Sequence, residues 1–182
     1  MSGMSLSLDL GRLGFGGEQE QEQERNLVII GAGPAGLTAG LYAGRAQLEP
    51  LLLVGQSFGG QAATTSEMEN YPGFPEGIGG MALAEQMSNH ATRFGAEVLY
   101  EEVTGVDVKQ YPFVVRTYGP TLRAKSLIIC TGTSSRRLGV PGEDKYIGRG
   151  VSFCATCDGY FYKDKTAVVV GGGDSAIDEG LY

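Results

Sequence analysis

The sequence lacks the residues that several common classes of protein need. Its 182 residues include no tryptophan, one histidine and three cysteines. The histidine and the cysteines occur at no familiar zinc-ligand spacing, so we expect no metal site. Three cysteines also do not make the even set of a disulfide framework, which favours a reducing compartment such as the cytoplasm. Any disulfide in the chain is then expected to be catalytic.

Positive charge and long hydrophobic runs are also scarce. The chain has 14 Lys and Arg against 21 Asp and Glu, a formal net charge of -7. This balance disfavours nucleic acid and anionic membrane surfaces as partners, because both need clustered basic residues. The longest apolar runs, Leu51–Val54 and Leu127–Cys130, fall far short of the roughly 20 residues that span a bilayer. We therefore expect a soluble protein that binds neither nucleic acid nor membranes.

The first 25 residues are polar and repetitive, and they end in the Glu- and Gln-rich stretch Gly16–Arg25. Such a segment buries too little apolar surface to order itself, so we predict a disordered N-terminal tail over residues 1–25. It has neither the basic start and apolar centre of a secretory signal nor the composition of a transit peptide.

Glycine is abundant, and one group of glycines forms a motif. Residues Gly31–Gly36 follow the apolar run Leu27–Ile30 and precede a helical pattern on Leu37, Leu41 and Leu48. A strand, a glycine turn and a helix in that order cradle a dinucleotide pyrophosphate at the amino end of the helix. The candidate cofactor-binding residues are Gly31 for the tight turn, Gly33 for close backbone approach, Gly36 for helix packing, and Pro34 and Ala35 between them.

The next predicted strand, Leu51–Val54, completes the opening unit of a doubly wound nucleotide fold. No acid follows it at the position that usually binds the ribose hydroxyls, because the chain continues with Gly55 and Gln56. Ser57 and Gln61 are the candidates for that contact.

The middle of the chain contains a long loop, a helix and three further strands. The stretch from Gly55 to Gly80 is rich in Gly, Pro, Ser and Thr, which predicts a functional loop. Apolar residues at helical spacing then predict a helix that ends at Gly95, and alternating patterns predict antiparallel strands. These elements are the helix on Leu83, Met87, Ala91 and Phe94, the strands Val98–Val108 and Phe113–Thr117 joined by a turn at Tyr118–Pro120, and a buried strand Leu127–Cys130.

A second glycine motif, Gly171–Ala176, follows the apolar run Ala167–Val170. The strand-to-turn context again predicts nucleotide binding, with alanine at the third glycine position. The residues that distinguish NADP from NAD are expected about 20 positions further on, beyond Tyr182. The candidate cofactor-binding residues of this motif are Gly171, Gly173, Asp174, Ser175 and Ala176.

Cys154 and Cys157 lie between the two glycine motifs, and Asp158 follows them. One thiolate can attack and the other can resolve, which predicts a redox-active pair. The alternatives are an inert pair of buried thiols and a zinc site, which the spacing disfavours. Asp158 either carries the proton that a leaving thiolate needs or caps a turn. Cys130 is predicted to lie in the core, and His90 to have a surface or core role.

Several stretches between Asn26 and Tyr182 together resemble the low-molecular-weight thioredoxin reductases. The cysteine pair between two glycine motifs separates this family from other flavin disulfide reductases, which carry their cysteines near the first motif. The matching stretches are Gly31–Gly36, Gly59–Gln61, Glu69–Pro75, Thr131–Gly132, Gly148–Ser152, Cys154–Asp158 and Gly171–Ala176.

The resemblance implies an α/β fold in two parts. Residues 26–132 would form the first part of a Rossmann-like, three-layer FAD-binding domain, and residues 133–182 the start of a smaller Rossmann-like NAD(P)-binding domain. The implied FAD contacts are Gly31–Gly36, Gly59, Gly60, Gln61, Asn70, Thr131 and Gly132.

The resemblance also implies an activity. A hydride would pass from NADPH through FAD to the Cys154–Cys157 disulfide, and the electrons would pass on to thioredoxin or a similar small disulfide protein. Cys157 would face the flavin, Cys154 would exchange with thioredoxin, and Asp158 would be the acid. Such enzymes are homodimers whose small domain swivels between flavin and thioredoxin.

The sequence also departs from the family pattern. In the family, the second half of the FAD domain follows the nucleotide domain; that half and most strands of the nucleotide domain do not occur in this sequence. We therefore expect poor support for the chain from Thr133 onward. One alternative is a truncated, non-catalytic chain that binds nucleotide or a partner without turnover. A relative that uses another electron donor is disfavoured by the intact Gly171–Ala176 motif.

Overall fold

The structure is a computed structural model that describes residues 22–182. Residues 1–21 of the predicted tail lie outside the described residues. The predicted tail is too long by three residues, because Gln23, Glu24 and Arg25 belong to the strand β1, which begins at Gln23 and runs to Ile30. They join the strand because Gln23, Glu24 and Arg25 pair in parallel with Leu122, Arg123 and Ala124 of a long neighbouring strand.

Six strands form one mixed sheet in the order β3-β2-β1-β6-β5-β4. The strands β1, β2, β3 and β6 pair in parallel, and β4, β5 and β6 form an antiparallel meander. After β1, the strand bounds are β2 Pro50–Leu53, β3 Glu97–Leu99, β4 Val103–Asp107, β5 Phe113–Thr117 and β6 Thr121–Ile129.

The predicted single strand Val98–Val108 is wrong, because the chain divides there into β3 and β4. Val98 pairs in parallel with β2, whereas Val103 pairs antiparallel with β5. Between the two strands, the carbonyl of Glu101 accepts a hydrogen bond from Gly55 N at 3.0 Å. The alternating pattern continues across the break, so periodicity alone could not show it.

Two helices, α1 Pro34–Arg45 and α2 Gly80–Arg93, pack against each other and bury one face of the sheet. The helix α1 ends earlier than its apolar pattern predicts, because Gln47 and Glu49 take left-handed backbone angles of 59° and 49° in φ. Leu48 therefore lies beyond the helix and is exposed. The helix α2 ends as predicted, with Gly95 at a φ of 91°.

The core of the described residues has two clusters of buried residues. The first includes residues of the helices α1 and α2, and the second consists of strand residues alone. Its buried members are Val28, Ile30, Leu51, Leu53, Val115, Leu122 and Ala124. Because side chains alternate along a strand, neighbours such as Val28 and Ile29 belong to different clusters, one on each face of the sheet. The predicted α/β class is confirmed.

Residues 133–182 contain four short helical segments. They are α3 Glu143–Tyr146, α4 Ala155–Asp158, a 3₁₀ helix Gly159–Tyr162 and α5 Asp174–Leu181. The predicted strand Ala167–Val170 is wrong as a strand, because within residues 22–182 it pairs with no other strand and Val168 is 84% exposed. A strand needs the backbone of a neighbour, which agrees with the expected poor support of this part of the chain. In the described range, none of the helices is long and apolar enough to cross a bilayer.

Candidate functional site

The first glycine motif closes the turn between β1 and α1. Gly31 has a φ of 105°, and a Cβ added there would lie 2.3 Å from the carbonyl oxygen of Cys130. A Cβ on Gly36 would lie 1.8 Å from the carbonyl oxygen of Gly31. Any larger residue at either position would displace backbone, so both glycines are required by the turn itself.

A second loop packs against this turn. Gly59 N donates a hydrogen bond to the carbonyl oxygen of Ala32 at 3.0 Å. A Cβ on Gly60 would lie 3.3 Å from Gly33 Cα, so the two backbones approach each other closely. Gln61 then reaches from the loop to the chain that leaves β6, and its Nε2 donates to the carbonyl oxygen of Thr133 at 2.9 Å.

The glycine turn, the loop at Gly59–Gln61 and the chain that leaves β6 meet at the carboxyl ends of β1 and β6. The order of strands in the sheet distinguishes this position. The strand β1 has β2 on one side and β6 on the other, so the strand order reverses here. Ligands of open α/β sheets bind in the crevice at such a reversal. Cys130 N donates to the carbonyl oxygen of Ile30 at 2.8 Å and so brings Thr131 and Gly132 to the glycine turn. Residues 31–36, 59–61 and 131–133 thus form a cradle at this edge of the sheet, in which a Cβ on Gly33 or Gly60 would face the backbone of the other loop.

An acidic side chain lies near the end of β2, although no acid follows that strand in sequence. The amide of Gln56 donates from Nε2 to Glu102 Oε1 at 2.6 Å. The carbonyl oxygen of Ser57 accepts a hydrogen bond from Gly60 N at 3.3 Å, which shapes the loop at residues 59–61. Glu102 follows the adjacent strand β3, so its position near the end of β2 depends on the pairing of β2 with β3. Sequence reasoning missed this carboxylate for that reason.

Asn70, also predicted to contact the cofactor, lies in the surface loop of residues 69–75. A two-hydrogen-bond bridge between Met68 and Ile78 closes the base of this loop, at 2.8 and 3.1 Å. The loop lines a shallow hollow of about 270 Å³ that its own residues form. The cofactor contact of Asn70 stays a prediction.

The two cysteines of the predicted redox pair form a disulfide between Cys154 and Cys157, with the Cα atoms 5.3 Å apart. Cys154 is the N-cap residue of α4, and its Sγ accepts a hydrogen bond from Cys157 N at 3.2 Å. Thr156 Oγ1 lies 3.3 Å from the same sulfur. Within residues 22–182, no group of three or more His, Cys, Asp or Glu side chains is placed to hold a metal ion.

Asp158 is held beside Cys154 by Ser152. The Ser152 hydroxyl donates to Asp158 Oδ2 at 2.6 Å and accepts from Cys154 N at 3.1 Å. The backbone supports the same arrangement, since Asp158 N donates to the carbonyl oxygen of Cys154 at 3.0 Å. Ser152 was not among the predicted site residues, although a serine hydroxyl that bonds to the backbone N–H two residues further on is a common local pattern.

The second glycine motif opens a helix, with Gly173 as the N-cap of α5. Asp174, Ser175 and Ala176 form the first turn of this helix, and Ala176 N donates to the carbonyl oxygen of Gly173 at 3.0 Å. A Cβ on Gly171 would lie 3.1 Å from Ala176 Cβ, so the turn is compact at its start. Unlike the first motif, this one follows an unpaired segment.

The helix α5 also contacts α4, the helix that lies between the two cysteines and includes Cys157. The carboxylate of Glu179 accepts a hydrogen bond from Ala155 N, the first amide of α4. This contact brings the second glycine motif and the dithiol helix together. It joins residues far apart in sequence, so no local pattern predicts it.

The side chains of Cys130 and Glu143 have pKa values shifted from the ordinary ones. Burial raises the pKa of the Cys130 thiol, which is half-buried against the helix-covered core. The backbone N–H of Leu138 holds the pKa of Glu143 below its usual range, and Gly139 N–H and the nearby Arg137 act in the same direction. The predicted core position of Cys130 is confirmed in part. His90 is exposed on α2, with its ring 5.7 Å from that of Phe94.

The buried carboxylate of Glu143 organises the segment that leads from the sheet to the cysteines. It accepts hydrogen bonds from Leu138 N at 3.0 Å and from Gly139 N at 2.7 Å. Glu143 begins α3, so this helix and the preceding residues are fixed to each other.

Comparison with known proteins gives one family. The family model described as pyridine nucleotide-disulphide oxidoreductase matches residues 25–182. The chain is 47% identical over 156 residues to a thioredoxin reductase of Escherichia coli O157:H7, a match that covers 86% of this chain and 49% of the relative. It is equally identical, with the same coverage, to a protein of Pseudomonas fluorescens named glucosaminate ammonia-lyase.

Solved structures give the same result. A thioredoxin reductase from Giardia duodenalis superposes with a TM-score of 0.82 at 46% identity, covering 88% of this chain and 52% of that one. A thioredoxin reductase from Streptococcus pyogenes has a TM-score of 0.81 at 43% identity. The chain spans about half the length of the relatives that it matches.

Proposed function

The chain belongs to the pyridine nucleotide-disulphide oxidoreductase family, and on that premise we propose that it acts as a thioredoxin reductase. The observation that carries this proposal is the Cys154–Cys157 disulfide with Asp158 held beside it. A dithiol that closes into a disulfide is suited to two-electron exchange with another disulfide. The disulfide therefore favours the activity of the relatives named thioredoxin reductase over that of the relative named glucosaminate ammonia-lyase.

The proposed cofactors are FAD at the first glycine cradle and NADPH at the second motif. For FAD, the backbone N–H groups at the amino end of α1, which begins after Gly33, would hold the pyrophosphate. Gly31 and Gly36 would shape the turn, and loop 59–61 would pack against it. For NADPH, the start of α5 at Asp174 would do the same. When bound, these groups supply hydride transfer and a two-electron relay to the disulfide.

The residues of the dithiol segment would carry out the exchange itself. In the reduced form, the Cys154 thiolate attacks one sulfur of the partner's disulfide, that S–S bond breaks, and the partner's other sulfur leaves with the electron pair. Asp158 supplies a proton to the departing thiolate. Cys157 then attacks Cys154 in the mixed disulfide, which closes the Cys154–Cys157 bond again and releases the partner's second sulfur as a thiol.

The proposed partner is thioredoxin or a similar small disulfide protein, and the proposed setting is the cytoplasm. A reducing compartment suits a chain with three cysteines, in which the one proposed disulfide, Cys154–Cys157, is catalytic. By analogy with the family pattern, the full protein is proposed to be a homodimer.

A trapping experiment tests the proposal without any cofactor. Reduced Cys157→Ser protein is mixed with oxidised thioredoxin, and non-reducing mass spectrometry looks for a covalent adduct. Cys154 can still attack in this variant, and the adduct persists because the resolving thiol is gone. The matched Cys154→Ser protein should give little adduct. Equal adduct with both variants, or none with either, would count against the proposed exchange.

A further inference from the structure

Both hydrogen bonds to sulfur in the part of the chain that the structure describes are made to Cys154 Sγ. Cys157 N donates to it at 3.2 Å, and Thr156 Oγ1 lies 3.3 Å from it. A disulfide sulfur carries no proton, so the Thr156 hydroxyl is the donor in its contact. The two sulfurs of the pair are therefore not equivalent.

This asymmetry matters when the disulfide opens. A thiolate reductant attacks one sulfur of the pair, the S–S bond breaks, and the electron pair leaves on the other sulfur. Donors already aimed at Cys154 Sγ stabilise negative charge there. Attack on Cys157 Sγ, with Cys154 as the leaving thiolate, is then the favoured direction. A second thiol of the reductant resolves the mixed disulfide on Cys157, which takes up a proton.

The surrounding charges make these donors more important. The Asp158 carboxylate lies on the same helix, and the Glu179 carboxylate reaches the first amide of α4 from α5. An ionised carboxylate near Cys154 opposes a thiolate there, so donors to the sulfur gain importance. A basic group, the Arg137 guanidinium, lies over the ring of Phe153, the residue before Cys154, at 5.0 Å from the ring centroid.

We propose that Thr156 is a catalytic residue whose hydroxyl, together with the Cys157 N–H, stabilises the Cys154 thiolate formed when the disulfide opens. The inference rests on the proposed function, since it assigns a role within the same dithiol exchange. The Thr156 hydroxyl and the Cys157 N–H together make Cys154, rather than Cys157, the thiolate of the reduced pair.

Thr156 is exposed, so its hydroxyl can be removed with little effect on folding. Thr156→Val keeps the shape of the side chain and removes only the donor. Thr156→Ser keeps the donor and serves as the matched control. Circular dichroism of all three proteins checks that the fold is unchanged.

The test is alkylation of the reduced chain by iodoacetamide in short pulses under a phosphine reductant. The pH runs from about 5 to about 10, on both sides of the ordinary thiol pKa of about 8.5. Peptide mass spectrometry measures labelling of Cys154 and Cys157 separately. In the unmodified protein we expect Cys154 to be labelled at lower pH than Cys157. Thr156→Val should shift the midpoint of the Cys154 profile upward by about half a pH unit, a change of about threefold in the thiolate fraction, and Thr156→Ser should restore it.

Two results would overturn the inference. One is an unchanged Cys154 profile in Thr156→Val. The other is preferential labelling of Cys157 in the unmodified protein, a measurement that needs no variant. Neither result depends on thioredoxin, so the inference can fail while the trapping experiment still supports the proposed exchange.

Discussion

The hydroxyl of Ser152 donates a hydrogen bond to Asp158 Oδ2 at 2.6 Å while it accepts one from Cys154 N at 3.1 Å. A single side chain thus links the proposed acid to the backbone of the proposed attacking cysteine. Hydrogen bonds from a hydroxyl to a carboxylate at this length are among the stronger ones in proteins. Ser152 is therefore a positioning residue for Asp158.

We predict that Ser152→Ala loosens the dithiol segment and that Ser152→Thr does not. The alanine side chain cannot accept from Cys154 N, so this amide should exchange with solvent about fivefold faster. Threonine keeps the hydroxyl and should retain the protection. Hydrogen exchange of the Cys154 amide followed by NMR measures both effects. Equal exchange rates in the alanine and threonine variants would show that the hydroxyl does not hold the segment.

Two glycines of the first cradle should respond differently to alanine. A Cβ on Gly36 would meet the carbonyl oxygen of Gly31 at 1.8 Å, whereas the nearest atom to a Cβ on Gly33 is 3.8 Å away. Gly36→Ala should therefore destabilise the fold by about 2 kcal/mol or more. Gly33→Ala should leave the stability almost unchanged and weaken FAD binding instead, because the added methyl group would stand between the backbone and the pyrophosphate.

Urea unfolding and titration with FAD separate the two effects. The Gly33→Ala protein tests the cofactor site, since its fold is expected to be intact. Unaltered FAD affinity in that protein would argue against pyrophosphate binding at this turn. Unaltered stability in Gly36→Ala would argue against the close approach of α1 to β1.

Glu143 should make the segment before the cysteines sensitive to acid. Hydrogen bonds from the backbone of Leu138 and Gly139 lower the pKa of this carboxyl group in the folded protein. A group with a lowered folded pKa contributes stability above its unfolded pKa of about 4.3 and loses it as the pH falls through the folded value. The amides of Leu138 and Gly139 should therefore stay protected at neutral pH and lose protection in acid.

In the Glu143→Gln protein, the amides of Leu138 and Gly139 should exchange with solvent faster at neutral pH. Their exchange rates should also change less as the pH falls. Asp144→Asn is the matched control, because the neighbouring Asp144 is exposed and makes none of these contacts. Amide exchange measured from about pH 3 to about pH 7 spans the titration range of a carboxyl group. A control variant that behaves like Glu143→Gln would point to general charge rather than to the Glu143 contacts.

Cys130 should be a slow thiol. Burial raises its pKa, so less thiolate is present at mildly alkaline pH. We expect iodoacetamide to label Cys130 several-fold more slowly than free cysteine at about pH 8, and at the same rate as free cysteine once the chain is unfolded. Fast labelling in the folded protein would mean that the thiol is not shielded by the core.

The sequence predicted the elements whose signals are local. The strand before Gly31, the helix after Gly36 and the end of α2 at Gly95 all follow from residues close to one another in the chain. Apolar runs and glycines determine these features wherever they occur. The two turns predicted to bind nucleotides accordingly appear where the motifs are.

The features that the sequence did not show depend on distant parts of the chain. Gln23 joins β1 only because β6 is long enough to pair with it, and Val98 and Val103 belong to different strands only because their partners differ. The segment Ala167–Val170 has a strand-like composition but no neighbour to pair with in the described structure. Pairing is a property of two segments, so one segment cannot predict it.

The candidate site shows the same division. Cys154, Cys157 and Asp158 were found because they are adjacent in sequence, whereas Glu179 reaches α4 through tertiary packing. Thr156 was within the recognised motif, yet its contact with one particular sulfur depends on the local conformation of α4.

The hydrogen bonds that surround the disulfide have one further consequence. Within residues 22–182 they connect Ser152, Cys154, Thr156, Asp158 and Glu179, all of which lie after the segment anchored by Glu143. A rotation of the chain about residues 133–137, which precede the Glu143 contacts, would leave each of these bonds intact. These hydrogen bonds around the two sulfurs would then be the same in every orientation of the segment. A movement of the disulfide to a distant reaction centre would therefore not change the contacts that set the reactivity of each sulfur.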